Sequence, residues 1–78
     1  MAVGVSEITF RDTVRHIQKL DNEPKYEVTF RRKAAFYWVA DEKTETVAAL
    51  QTSGVTKSPV EVVALGSSTE IVSAQLAT

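Results

Sequence analysis

The sequence has 78 residues, with nine Lys and Arg against ten Asp and Glu, which gives a net charge of −1 at neutral pH. This length fits a single small domain, residues 1–78, near the lower size limit for one hydrophobic core. The balanced charge argues against a general binder of polyanions. The absence of cysteine excludes disulfides, thiolate metal ligands and a cysteine nucleophile.

The first ten residues, MAVGVSEITF, lack the basic and apolar regions of a secretory signal. No segment approaches the roughly 20 consecutive apolar residues that a transmembrane helix needs. We therefore expect a cytoplasmic protein that does not act at a membrane. Eleven valines and three isoleucines stand against four leucines, and this bias favours a protein dominated by β-sheet.

Residues 3–10 alternate between apolar and polar side chains and are predicted to form a strand. Residues 12–20 fit two structures. Apolar side chains at helical spacing favour a short helix capped by Asp12, whereas β-branched residues and the following turn at 21–24 favour a strand. We favour the strand, because a hairpin would then bring apolar pairs together, with the register Leu20–Tyr26, His16–Phe30, Phe10–Phe36 and Ile8–Trp38.

Residues 25–41, KYEVTFRRKAAFYWVAD, have the most regular pattern in the chain. The period of two predicts a strand whose even-numbered side chains face the core, while Tyr37 lies on the solvent face. At roughly 3.3 Å per residue the segment would span about 50 Å, which is too long for one strand. We expect it to bend or split near Arg32, the only polar residue on the even face.

A change to helix-forming residues after the central segment predicts a helix over residues 43–53, with Asp41 as N-cap and Gly54 just after its end. Residues 59–65 are predicted to form a strand, with a short helix capped by Ser58 as the alternative, and residues 68–77 fit either a strand or a helix. The predicted fold is α+β, a small antiparallel sheet built on a long bent hairpin with one or two short helices. The alternative is an all-β barrel of five strands.

The clearest functional pattern is a group of basic side chains beside aromatic ones. Arg31 and Lys33 are predicted to share a face with Tyr37, and such combinations bind single-stranded nucleic acid through phosphates and stacked bases. Arg11 and Arg15, on the preceding predicted hairpin arm, complete the set. The alternative is that the aromatic rings belong to the core and the cations are simply solvated.

Residues 65–76, LGSSTEIVSAQL, resemble the turn and recognition helix of helix-turn-helix regulators. This resemblance implies a DNA-binding segment over residues 58–77. The segment 65–76 contains Glu70 but no Lys or Arg, so this reading helix would carry the wrong charge for phosphate.

The sequence offers no recognisable catalytic or metal-binding pattern. His16 is the only histidine, and Asp12 could orient it on a helix, but no serine lies in a nucleophile motif. The acidic residues at 21–23 and 41–45 lack the spacing of a calcium loop. We therefore predict no enzyme, cofactor, metal or small-molecule substrate.

The leading prediction is a small non-enzymatic binding module that acts through a protein–protein interface and associates with itself. A sheet of few strands leaves edges that another chain can cover. Exposed Tyr37 beside arginine would be a typical interface anchor. The partner-binding residues are predicted to be Arg11, Arg15, Arg31, Lys33 and Tyr37, with nucleic acid as the alternative partner.

Overall fold

A computed structural model describes residues 6–77 and shows an α+β fold, as predicted. The elements are β1 (Glu7–Asp12), β2 (Val14–Lys19), β3 (Lys25–Phe30), β4 (Tyr37–Ala40), α1 (Thr44–Thr56), β5 (Val60–Leu65) and β6 (Ile71–Leu76). The strands form two antiparallel sheets of three strands each, with no closed barrel, so the all-β alternative is wrong. Residues 3–5 of the predicted first strand lie outside the described residues.

One sheet contains the first strand and the last two strands of the chain, and the other contains the three strands between them. One sheet has the order β1-β5-β6 and the other has the order β2-β3-β4. Only Thr13 separates β1 from β2, so the chain passes from one sheet to the other at this residue. The two sheets are also linked by the backbone N–H of Trp38, which donates to the Thr69 carbonyl (3.1 Å) and so connects β4 to the segment before β6.

The predicted hairpin is present, but its register and its partners differ from the expectation. β2 and β3 pair with Lys19 opposite Tyr26 and Ile17 opposite Val28, one position away from the predicted alignment. β1 does not continue this hairpin and pairs instead with β5, so Phe10 lies opposite Val62. A strand pattern defines its two faces but carries no information about which distant strand it meets.

The central segment splits, as its length required, and Arg32 lies inside the interruption. β3 ends at Phe30 and β4 begins at Tyr37, and all six residues of the intervening loop 31–36 are exposed. The core-facing positions are even in β3 and odd in β4, because the loop resets the alternation. The predicted burial of Phe36 and exposure of Tyr37 are therefore wrong: Phe36 is 65% exposed and Tyr37 only 5%.

The core lies between the two sheets and beneath α1. Three aromatic rings, Phe10, Phe30 and Tyr37, meet with centroid distances of 5.1–5.4 Å and mostly edge-on geometry, which suits their quadrupoles. Phe10 is partly buried, whereas Phe30 and Tyr37 are almost fully buried. Small and β-branched side chains fill the remainder. The other buried apolar residues among 6–77 are Val14, Val28, Val39, Val47, Leu50, Val60, Val62, Ala64 and Ile71.

Helix α1 confirms the predicted helix, although its ends differ from the expected ones. It begins at Thr44 without a side-chain cap and ends at Thr56, where Lys57 adopts a left-handed φ of 62°. Gly54 is therefore inside the helix rather than after it. A Cβ at Gly54 would lie 3.4 Å from Cγ1 of Val14, so the glycine allows the helix to approach β2 closely.

Residues 58–77 do not form a helix-turn-helix segment. β5 and β6 pair as an antiparallel hairpin, with Val62 opposite Ala74. This corrects the predicted resemblance to DNA-binding regulators and resolves residues 68–77 in favour of a strand. Within the described part of the chain, no helix is long and apolar enough to cross a membrane.

Candidate functional site

Four of the five predicted binding residues lie on one surface, which we call the basic face. Arg11 is on β1, Arg15 on β2, and Arg31 and Lys33 in the loop 31–36. Three shallow depressions all border Arg31, and together they connect its guanidinium to the other cations. The basic face consists of Arg11, Arg15, Arg31, Arg32, Lys33 and Lys57.

Two members of the basic face, Arg32 and Lys57, were missed by the sequence reasoning. Arg32 follows Arg31 directly, but strict alternation assigned it to the core face. Lys57 is 24 positions from Lys33 and reaches this surface because α1 packs against β2. The charge run 31–33 could have revealed Arg32, whereas no local pattern points to Lys57.

The loop 31–36 has its shape because a buried carboxylate holds its backbone. Asp12 is only 6% exposed. Its Oδ2 accepts hydrogen bonds from the backbone N–H groups of Arg32 (2.9 Å) and Lys33 (3.1 Å). Its Oδ1 accepts a third from Thr13 (2.7 Å). Hydrogen bonds to an ionised acceptor are stronger than neutral ones, so Asp12 fixes the first half of the loop.

In the part of the chain that the structure describes, only the first half of the loop is anchored through its backbone. The N–H of Arg31 donates to the Thr13 carbonyl (3.0 Å), but within residues 6–77 the backbone N–H groups of Ala34, Ala35 and Phe36 make no such bond. The Lys33 ammonium lies 4.8 Å from the centre of the Phe10 ring, a cation–π distance. The loop thus combines a fixed basic half with an unanchored half that ends at exposed Phe36.

Tyr37, the fifth predicted residue, is not on the basic face. Its ring packs 5.4 Å from both Phe10 and Phe30 inside the core. A buried ring cannot stack on a base or anchor a partner. The predicted combination of Tyr37 with Arg31 and Lys33 is therefore not formed.

The predicted pairing of His16 with Asp12 is also not formed. Both residues lie on strands rather than on one helix, and Asp12 is engaged by backbone amides. The ring of His16 is exposed, with Nε2 3.2 Å from Oε1 of Gln18. Among the described residues, the side-chain partner of the His16 ring is thus an amide and not a carboxylate.

Two of the acidic residues considered as metal ligands lie next to lysines. Glu23 is 3.3 Å from the Lys25 ammonium, and Asp41 is 3.8 Å from the Lys19 ammonium. Among residues 6–77, no three of His, Asp and Glu are close enough to hold a metal ion. These carboxylates are surface ion-pair partners in this fold.

Comparison with known proteins gives a match of fold but not of sequence. No protein-family model and no curated protein matches the chain. Two solved structures do match, one of pro-protein-glutaminase and one of a mutant of pro-protein-glutaminase, each with a TM-score of 0.76. Sequence identity is 21% and 20%, respectively. This likeness shows the fold.

The match covers 87% of this chain but only 24% of each pro-protein-glutaminase chain. The chain therefore corresponds to about a quarter of those proteins. Both are precursor forms of an enzyme, and this finding contradicts the prediction of a non-enzymatic binding module. The prediction that the chain is not an enzyme is contradicted on the same ground.

Proposed function

We propose that this chain is one domain of the precursor of an amide-hydrolysing enzyme, the domain that accompanies the catalytic unit until the enzyme is activated. The observation that carries the proposal is the fold match to pro-protein-glutaminase over 87% of this chain. The name of that protein describes a glutaminase that acts on proteins and is present as a pro-form. A shared fold alone does not transfer an activity, so the chemistry of the residues must also be considered.

The side chains of this chain favour the accompanying domain over the catalytic unit. Amide hydrolysis through a covalent intermediate needs a nucleophile with an adjacent base. The sequence has no cysteine, and its one histidine is exposed beside Gln18. The hydroxyl of Ser53 is buried, but it accepts a hydrogen bond from the backbone N–H of Val14 and donates one to the carbonyl of Ser58. Its role is therefore structural. We therefore assign the reacting groups to another part of the precursor.

The proportions of the match agree with this assignment. A segment that makes up 24% of a precursor leaves most of that chain for the catalytic unit. The domain also has its own core, with eleven buried apolar residues, so it can fold as a unit beside another domain.

An antibody against residues 6–77 would test the proposal in cells that produce the protein. The immunoprecipitate would be assayed for ammonia released from glutamine side chains of a protein substrate, before and after brief treatment with trypsin. We expect the antibody to recover an amide-hydrolysing activity that rises after trypsin treatment. This result would hold whether the catalytic unit belongs to the same chain or to a bound one.

The control is a second immunoprecipitation, in which the antibody has first been saturated with the purified chain. If only a species of 8.6 kDa is recovered, and no ammonia is released before or after trypsin treatment, the proposal is wrong.

A further inference from the structure

We infer that the loop 31–36 is a processing site for a serine endoprotease that cleaves after basic residues, and that the Lys33–Ala34 bond is the one cut. The site itself follows from the structure of this chain. Its role, which is to release the catalytic unit, rests on the proposed function.

Exposure and sequence make this loop a protease substrate. All six residues are exposed, and the segment begins Arg-Arg-Lys and continues with two alanines, so it offers basic side chains followed by small ones. Proteases cut exposed connections, because they must bind the substrate backbone in an extended form. The other basic residues are in strands, before or after α1, or in ion pairs such as that of Arg11 with Glu61.

The hydrogen bonds of the loop select one peptide bond. The amide N–H groups of Arg32 and Lys33 are held by Asp12, and that of Arg31 by Thr13. The N–H of Ala34 makes no hydrogen bond to the described part of the chain. The Lys33–Ala34 bond is therefore the first bond after a basic residue whose own nitrogen is not held by Asp12. A protease must still release the N–H of Lys33 from Asp12 in order to bind the backbone in an extended form, so the carboxylate slows this cut.

The reaction is hydrolysis. Water adds across the amide, and the C–N bond breaks. The water oxygen bonds to the carbonyl carbon of Lys33, which becomes a carboxylate. Both water protons are transferred to the nitrogen of Ala34, which becomes an ammonium group. The protease supplies the nucleophile and base, and no other reactant is needed.

The position of this bond in the topology gives the cut its consequence. The piece before it contains β1, β2 and β3, and the piece after it contains β4, α1, β5 and β6. β1 pairs with β5, and β3 pairs with β4, so one cut turns both sheets into assemblies of two separate chains. The aromatic cluster is divided as well, with Phe10 and Phe30 on one piece and Tyr37 on the other.

A domain of this size has little stability to spare, and separate pieces lose the effective concentration that a covalent link provides. We therefore expect the cut domain to come apart on dilution.

Limited trypsin digestion of the purified chain, followed by intact mass, tests the site. The first products expected are residues 1–33 and 34–78. A first cut after Arg31 or Arg32 would overturn the choice of bond, and a first cut after Lys57 or any other basic residue would overturn the site. A variant with Arg31, Arg32 and Lys33 all replaced by Gln should last at least about ten times longer, whereas the matched Lys57→Gln variant should be cut at the rate of the original.

Asp12→Asn tests the role of the carboxylate, since it keeps the size of the side chain but removes an acceptor. We expect cleavage at Lys33–Ala34 to accelerate by at least about tenfold, because Oδ2 accepts two charge-assisted hydrogen bonds and the loss of one alone is worth about that factor. Cleavage after Lys57 in the same sample reports opening of the whole domain. If both bonds accelerate equally, or neither does, Asp12 does not control the loop.

Dilution of the cut protein tests the consequence. From micromolar to nanomolar concentration we expect loss of circular dichroism and a change in Trp38 fluorescence, because Lys25, 4.6 Å above that ring, is on the other piece. Retention of both signals would overturn the proposed disassembly.

If digestion and dilution behave as expected but the antibody recovers no amidase, the loop is a processing site in a protein of another kind. If the antibody recovers the amidase but the loop resists trypsin, the precursor is activated elsewhere.

Discussion

Ser53 joins the helix to both neighbouring parts of the chain, and its replacement by alanine gives the sharpest test of the packing. Its side chain is fully buried. Oγ accepts a hydrogen bond from the backbone N–H of Val14 at 3.0 Å and donates one to the carbonyl of Ser58 at 2.6 Å. The hydroxyl thus connects α1 to the start of β2 and to the segment that leads into β5.

The cost of Ser53→Ala can be worked out from these two partners. The Val14 N–H belongs to a fully buried residue and would lose its acceptor, which costs about 1–3 kcal/mol. The Ser58 carbonyl is less buried, so water can replace the hydroxyl there at a cost of roughly 0.5–1 kcal/mol. Alanine recovers about 0.5 kcal/mol through its better helix propensity. We expect a net loss of about 1–3.5 kcal/mol.

Urea unfolding followed by circular dichroism would measure this loss as a lower midpoint at unchanged slope. Thr52→Ala, at an exposed helix position one residue away, is the matched control and should change stability by less than about 0.5 kcal/mol. A loss below roughly 0.5 kcal/mol for Ser53→Ala would show that the hydroxyl is not the buried connection that the structure indicates.

Two further substitutions test other features of the fold. Tyr37→Ala should lower the free energy of unfolding by about 3–5 kcal/mol as a truncation in the core, whereas exposed Phe36→Ala should change it by less than about 0.5 kcal/mol; the reverse order in urea unfolding would refute the observed faces of β4. A double-mutant cycle on Arg11 and Glu61, whose charged groups lie 3.1 Å apart in solvent, should give a coupling of about 0.2–1 kcal/mol that falls as salt rises. Coupling that is well above this range or independent of salt would mean that the pair is shielded from water.

Local patterns in the sequence predicted those parts of the fold that depend on local physics. Helix formers after Asp41 predicted α1, valines at alternate positions predicted β5, and the excessive length of residues 25–41 predicted a break near Arg32. Each of these inferences needs only neighbouring residues. The α+β class followed from them.

Features that depend on distant parts of the chain were not predictable in this way. Alternation predicts a face only within an uninterrupted strand, so the loop 31–36 reversed the assignment of Phe36 and Tyr37. The pairing of β1 with β5 has no local signal at all.

For the candidate site, charge alone located Arg11, Arg15, Arg31 and Lys33. The central group, Asp12, was considered only as a helix cap and as a partner of His16, because the backbone amides of the loop 31–36 that it binds lie 20 and 21 residues further along the chain.

The pairing of β1 with β5 also affects how the protein is made. Arg11 and its partner Glu61 are separated by 50 positions. At a synthesis rate of roughly 5–20 residues per second, β1 leaves the ribosome several seconds before the strand that completes its sheet. Until then its backbone groups have no partner in that sheet, and such an edge readily pairs with other chains. β1 is therefore the strand of this fold most in need of protection during synthesis.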